Sequence, residues 1–519
     1  MTTDRIIVIG AGMGGLAAAI RLAASGHSVT VVESAAAAGG KARTLPSDAG
    51  PVDCGPTVLT LRDVFDDLFA LAGERLENHA KLVPQPVLAR HWWPDGTRLD
   101  LTTDRATNAA LIREAFGPRE AEGFLRFDAR AEQLYQAFDA PVMRAPRPAL
   151  PAIAAAVATR PAIWPALAPA VSLTRWLGLF FRDPRLIQLF ARYATYVGGR
   201  PAHSPAVLSL IWRAEARGVW AVDGGMHSLA RALQGVAERL GVEFRFNTAA
   251  TRIMREGGRV SGVQTSDGKT MPCAACVFNG DPAALRAGLL GEAPKTALPA
   301  TATEPRSLSA QVWAFAATAQ GRLAPDLIHH NVFFTEDPQA EFGPIGQGRA
   351  PAAPTLYLCA EDRARGPVTG PERFEIILNA PAGLAATKDE ETTCRTATFD
   401  RLSRFGLTLD PPPQGTGLVT PAMLAKRFPA SQGAIYGLSP EGMFATFRRP
   451  TARTGLAGLY LAGGGAHPGA GVPMATLSAK HAAEAITQDL TSALASPPTA
   501  MRGGMSTASR MTGGARSRS

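Results

Sequence analysis

The sequence has few cysteines, few aromatic residues and no long uninterrupted apolar run. The five cysteines among 519 residues, Cys54, Cys273, Cys276, Cys359 and Cys394, are too scattered for a disulfide framework, so a reducing compartment is expected. The most apolar passage, Pro148 to Phe181, is broken by Arg160, Arg175 and repeated prolines. Its uncharged pieces fall short of the roughly twenty residues a membrane-crossing helix needs. Asp4 and Arg5 stand directly before the first strand-like run, with no basic region, apolar stretch and cleavage site, so no secretory leader is expected. No G-x-S-x-G elbow is present, which removes the commonest hydrolase signal. Of the two Gly-Lys pairs, Gly40-Lys41 is followed by Ala42 and has Ala35 where a P-loop would need its first glycine, and Gly268-Lys269 has Val263 at that place.

Acidic residues are also in deficit, giving a net charge of +9. Arg502, Arg510, Arg516 and Arg518 lie in an acid-free tail rich in Gly, Ser and Thr, which is expected to be disordered. The remainder is only mildly basic and pairs no basic stripe with stacking aromatics, so no nucleic-acid partner is expected, while anionic lipid stays open. The chain is 46% apolar, enough for a large core and two or three domains.

Glycine is what the chain spends most conspicuously. Ile6 to Ile9 is a short apolar run of the kind buried on both faces of a parallel sheet. It feeds into Gly10, Gly12, Gly14 and Gly15, then a run of small and aliphatic residues predicted as helix, then a second strand ending at Glu33. In this β-turn-α-β order Gly10 permits the tight turn, Gly12 lets backbone approach a pyrophosphate, and Gly15 lets helix and strand pack closely. The free N–H groups of the helix start face the phosphates, and Glu33 stands where a carboxylate accepts ribose hydroxyls. A second glycine-rich passage, "LYLAGGGAHPGAGVPMATLSAK", begins at Leu459, and it too precedes a helix.

"ESAAAAGGKARTL", with Gly39, Gly40, Lys41 and Arg43, resembles the second dinucleotide motif of the FAD-binding family that includes amine oxidases and carotenoid desaturases. "VDCGPTVLT", with Asp53, Gly55, Pro56 and Thr57, resembles the flavin-side element of its desaturase branch. The late passage is similar to the G-x-G-T-H-P-G-A-G motif of bacterial phytoene-type carotenoid desaturases, with Ala466 replacing threonine. The likeness runs to about residue 490. Within the family it is greatest to the hydroxyneurosporene (1-hydroxycarotenoid) desaturases, notably in "HHNVFFTEDPQAEF".

The resemblance implies an α/β fold, a Rossmann-like FAD-binding domain with an inserted mixed α+β substrate domain and a partly helical membrane-associated region. It places residues 1–75, 215–290 and 445–490 in the FAD domain, 76–214 and 291–444 in the substrate domain, and 491–519 in the tail. One flavin site is then served by both ends of the chain. Gly463, Gly464 and Gly465 approach its ribityl and phosphate region, and Gly471, Val472, Pro473 and Met474 start a helix aimed at its ring. By the same likeness Thr251 to Ile253 lie towards adenine, and Trp220, Gly224 and Gly225 towards the flavin.

The implied activity is dehydrogenation of an acyclic carotenoid, with hydride passing to the flavin and a proton to a base or water. The terminal acceptor is oxygen or a quinone. His467 is the candidate base by position, with a local hydrogen-bonding role as the alternative; Asp139 and Glu215 are weaker candidates. Phytoene desaturation, carotene isomerisation and, without chemistry, isoprenoid escort of the GDP-dissociation-inhibitor type are the alternative functions. Around Pro148 to Phe181, Trp164, Trp176 and the flanking arginines are expected to dip into one leaflet, giving a cytoplasmic protein peripheral to the inner face of the cell membrane. A buried helical pair is the other reading. No metal is expected: Cys273 and Cys276 lack partner ligands, and His329 and His330 point to opposite faces if extended.

Overall fold

The computed structural model describes residues 5–495. The arginine-bearing tail lies outside the described residues, and the closing helix Val472–Ala495 runs through position 491.

Arg5–Ile9 forms the middle strand of a five-stranded parallel sheet. Its neighbours are Ser28–Val32 and then Glu243–Arg245 on one side, and Ala275–Phe278 and then Leu459–Leu461 on the other. Alternation along the first strand explains why a continuous apolar run is required. Ile6 and Val8 face Leu16 and Ile20 of the Met13–Ala24 helix together with Ala479 and Ile486 of the Val472–Ala495 helix. Ile7 and Ile9 face the other way, against Ile253, Val263 and Met271 of the antiparallel sheet Ala250–Glu256, Arg259–Thr265 and Thr270–Pro272. Ile6, Ile7 and Val8 are fully buried, each worth about 1.5–3 kcal/mol relative to exposure. The last strand is separated from the first by one strand only, so the two glycine-rich turns leave the same end of the sheet.

A second, larger sheet carries the rest of the chain. Its order is Thr408–Asp410, Ser309–Gln320, Glu372–Ala380, Leu356–Ala360, His330–Phe333, Ala89–Trp92 and Arg98–Leu101, with Leu418–Val419 also paired to Ser309–Gln320. Trp313, Phe315, Phe333, Leu358, Phe374 and Ile376 pack on one face beneath Leu402 and Phe405. His330, Tyr357, Cys359 and Glu375 alternate onto the other face. That face meets the helical part of the chain, whose core is Phe124, Phe127, Phe181, Phe190 and Trp212. A short ladder of Leu82–Pro84 with Trp220–Val222 ties the two halves together.

Candidate active site

The glycine turns converge on one point. Gly10 takes a positive φ of 100° and donates from its amide to the Val32 carbonyl at 2.8 Å, closing the turn between the two central strands. A Cβ on Gly14 would stand 2.7 Å from the Gly463 Cα, and one on Gly40 would stand 3.0 Å from the Gly12 Cα. On Gly15 it would meet the Gly10 carbonyl oxygen at 2.0 Å. The Gly39 amide donates to the Ala11 carbonyl at 2.8 Å, and the Gly463 amide donates to Ser478 Oγ at 2.7 Å. Residues 10–15, 39–40 and 463 are therefore in backbone contact although more than four hundred positions separate the outermost. Asn279 sits among them, its Nδ2 donating to the Ala462 carbonyl at 3.0 Å. It follows the Ala275–Phe278 strand and carried no signal in the sequence.

Glu33 is buried at the rim. One carboxylate oxygen accepts from the Ala11 amide at 2.7 Å and the other from the Ala35 amide at 2.8 Å, so it also braces the glycine turn. No side chain caps the start of the Met13–Ala24 helix and its first turn holds no acid, leaving its positive end for an anionic group.

Three buried cations and one carboxylate lie beside the glycines. Lys41 donates to the Ile435 carbonyl at 2.6 Å, and burial pushes its ammonium down to about 8. Arg449 donates to the carbonyls of Gly464 at 2.6 Å, Tyr436 at 3.0 Å and Leu438 at 2.9 Å, and burial lowers it to about 10. Arg306 pairs with Asp281, and both side chains are almost wholly buried. Lys41 and Arg449 both respond to Asp281 and to the charge of Arg306. The surplus positive charge in a dry pocket suits a diphosphate.

The Asp53 to Thr57 stretch does different work at each residue. The Asp53 carboxylate accepts from the amides of Met226 and His227, at the start of the Met226–Arg239 helix. Gly225 makes this possible, since a Cβ there would meet Asp53 Oδ2 at 2.6 Å. A Cβ on Gly55 would meet the Lys41 carbonyl at 2.0 Å. Pro56 follows, and Thr57 faces the Tyr357 hydroxyl. The Asp53 amide donates to Glu361 Oε1 at 2.7 Å, and Glu375 lies close by. Burial raises all three carboxyls, mutual repulsion adds to the shift on Glu361 and Glu375, and Arg373 opposes it at Asp53 and Glu361. The charge of Arg43 also opposes the rise at Glu375.

At the far turn, Gly471 takes a φ of 99° immediately before the helix, with Val472 and Pro473 buried and Met474 half-buried in its first turn. His467 is buried; its Nε2 lies 2.9 Å from the Ala145 carbonyl and burial lowers its pKa. Asp139 pairs with Arg144 on the surface side, at 3.1 Å. Glu215 is fully enclosed and belongs to a polar network described below.

Two expectations require correction. Trp176 is buried in the helical core whereas Trp164 is 54% exposed, because only the former packs against Phe180. His329 precedes its strand instead of extending it, and its ring lies 4.4 Å from that of His330. Those two rings and Cys359 bring ligand-type atoms within 4.8 Å of one another.

The model of the family described as flavin containing amine oxidoreductase matches residues 13–319. The chain belongs to that family. As a flavin oxidoreductase it has FAD as cofactor, and its described residues fit the group: a glycine turn at an uncapped helix start, Glu33 at the rim and a cationic surplus at Lys41, Arg306 and Arg449. A hydroxyneurosporene desaturase of Cereibacter sphaeroides is 59% identical over 94% of this chain and 98% of its own length. A lycopene-forming phytoene desaturase of a Paracoccus species is 31% identical over 94% of this chain and 98% of its own. An oxidoreductase from Methanosarcina mazei superposes with a TM-score of 0.59 at 15% identity, over 92% of this chain and all of that one, which is a likeness of fold.

Proposed function

We propose that this protein removes two hydrogens from the 3,4 bond of a 1-hydroxylated acyclic carotenoid such as 1-hydroxyneurosporene. The observation that carries the reading is near-full-length identity of 59% to a hydroxyneurosporene desaturase, against 31% to a phytoene desaturase, on a chain whose glycines at 10–15, 39–40 and 463 converge. Bound FAD supplies a two-electron hydride acceptor, and oxygen or a quinone in the membrane takes the electrons onward. The protein's own task is to place one carbon–carbon bond of a long apolar molecule and to keep water away, because positive charge developing beside a polyene is spread by the polyene itself.

The surface supports a lipid-borne substrate. The Leu150–Ala158 helix buries none of its residues, and Leu150, Trp164 and Leu179 are exposed nearby. Phe444 and Phe447 are exposed just after Gly442, whose amide donates to the His203 carbonyl at 3.3 Å. His203, Arg200 and Thr174 line a cavity of about 460 Å³ whose lining also includes Arg192 of the helical part and Asn379 of the large sheet. Among the described residues no helix is long and apolar enough to cross a membrane. These features support a peripheral enzyme resting on the inner face of the cell membrane, drawing carotenoid from one leaflet.

Offering 1-hydroxyneurosporene, neurosporene and phytoene in liposomes and resolving the products by chromatography tests the substrate. Desaturation of the hydroxylated carotenoid in preference to the other two is expected. Exclusive turnover of phytoene would overturn the reading.

A further inference from the structure

Between the flavin-side Thr57 and the cavity lies a buried polar network that a hydrocarbon substrate does not need. Tyr193 Oη donates to Glu215 Oε1 at 2.8 Å. Arg192 Nη2 donates to Tyr196 Oη at 2.8 Å, and the Tyr196 hydroxyl is near enough to the same carboxylate to help hold its charge. Glu215 is 3% exposed, yet among the described residues its Oε2 makes no hydrogen bond of normal geometry. On the facing sheet, His330 Nδ1 lies 2.6 Å from Tyr357 Oη, which also faces Thr57, while His330 Nε2 is buried and unpartnered. Arg192 belongs to both places: it feels Glu215, Tyr193 and Tyr357, and it lines the cavity.

Burying an arginine, a glutamate and two tyrosines among Phe190, Trp212 and Phe124 is costly in desolvation, and apolar residues of similar volume would stabilise such a core at least as well. A buried carboxylate oxygen left without a donor calls for one from a ligand. On the reading above, the substrate owns a single polar group: a tertiary hydroxyl on carbon 1, two carbon–carbon bonds from carbon 3. Whatever holds that hydroxyl therefore lies within a few bond lengths of the reacting bond. The network links the two places: Tyr357 adjoins the flavin-side Thr57, and Arg192 lines the cavity.

We infer that Glu215, oriented by Tyr193 and flanked by Arg192 and Tyr196, is the receptor for the substrate's hydroxyl. The hydroxyl donates to Glu215 Oε2 and accepts from Arg192, and this pairing sets which carbons face the flavin. A site built this way rejects the analogue that lacks the hydroxyl, because the hydrocarbon leaves Glu215 Oε2 buried without a donor.

This inference rests on the proposed substrate, and the test separates the two. In the flavin-loaded protein, dissociation constants for 1-hydroxyneurosporene and neurosporene are read from quenching of tryptophan fluorescence in liposomes, alongside kcat/KM for each. The wild type should favour the hydroxylated carotenoid; if it does not, the substrate reading itself fails. Glu215→Met should cut the ratio of the two dissociation constants by about tenfold or more, chiefly through weaker binding of the hydroxylated substrate, and Glu215→Gln should restore part of it. Unchanged ratios in Glu215→Met, or equal losses for both carotenoids, would overturn the inference while leaving the substrate reading intact. Should Glu215→Met fail to retain flavin, the double variant Tyr193→Phe, Tyr196→Phe is judged by the same ratios.

Discussion

At the scale of single residues, the site is a set of contacts that tolerate no added atom. Gly14→Ala puts a methyl 2.7 Å from the Gly463 Cα, backbone against backbone, so neither side can yield cheaply. It should destabilise the protein by about 1–3 kcal/mol and reduce flavin occupancy, read by visible absorbance and thermal melting. Glu33→Ala removes the acceptor for the Ala11 and Ala35 amides as well as the proposed ribose partner. A loss of about 1–3 kcal/mol and faster release of FAD on dilution are expected; unchanged flavin retention would remove Glu33 from the site. The Asp53 and Glu361 carboxyls hold protons above the ordinary carboxylate range because they are buried, with mutual repulsion adding at Glu361. The unfolded chain releases those protons earlier, so above that range the folded state binds more protons and stability falls as pH rises. Glu361→Gln, neutral throughout, should flatten the decline in melting temperature between about pH 5 and 8. The close approach of the glycine turns was legible in the sequence because backbone contact there demands glycine at fixed spacing. Arg449, Asn279 and the Glu215 network were not, since each acquires meaning only from partners brought in by the fold.

At the scale of elements, the same division holds. The strand-turn-helix-strand opening, the hairpins around Arg259–Thr265 and the re-entering Ala275–Phe278 strand follow from apolar runs punctuated by glycine. Composition did not separate the two tryptophans of the Pro148 to Phe181 passage, because burial there depends on which neighbour a short helix finds. Trp176 meets Phe180, while Trp164 stands exposed and donates to the Val157 carbonyl. The exposed apolar surface of Leu150–Ala158 leads to a prediction for this element: Leu150→Asp with Trp164→Asp should lower co-sedimentation with anionic liposomes several-fold and leave flavin content unchanged. Asp53 acts at this scale too, as the cap of the Met226–Arg239 helix. Its identity was readable from the family motif, but its role required seeing that helix start beside it.

At the scale of the whole molecule, two long excursions through the large sheet and the helical part are enclosed between three visits to one parallel sheet. The chain's first and last described strands flank Ala275–Phe278, so the turns that leave them share a cleft. This is why two glycine-rich passages so far apart in sequence make one site, and why neither suffices alone. The most direct measurement is calorimetric titration of FAD into protein stripped of flavin, comparing the wild type with Gly463→Val. The wild type should bind one FAD per chain and Gly463→Val should lose most of its affinity, because Gly463 holds a φ of 112° and the added side chain drives into Asn279, which sits among the glycine turns. Binding by Gly463→Val with wild-type affinity, or two FAD per wild-type chain, would contradict a single site built from both ends.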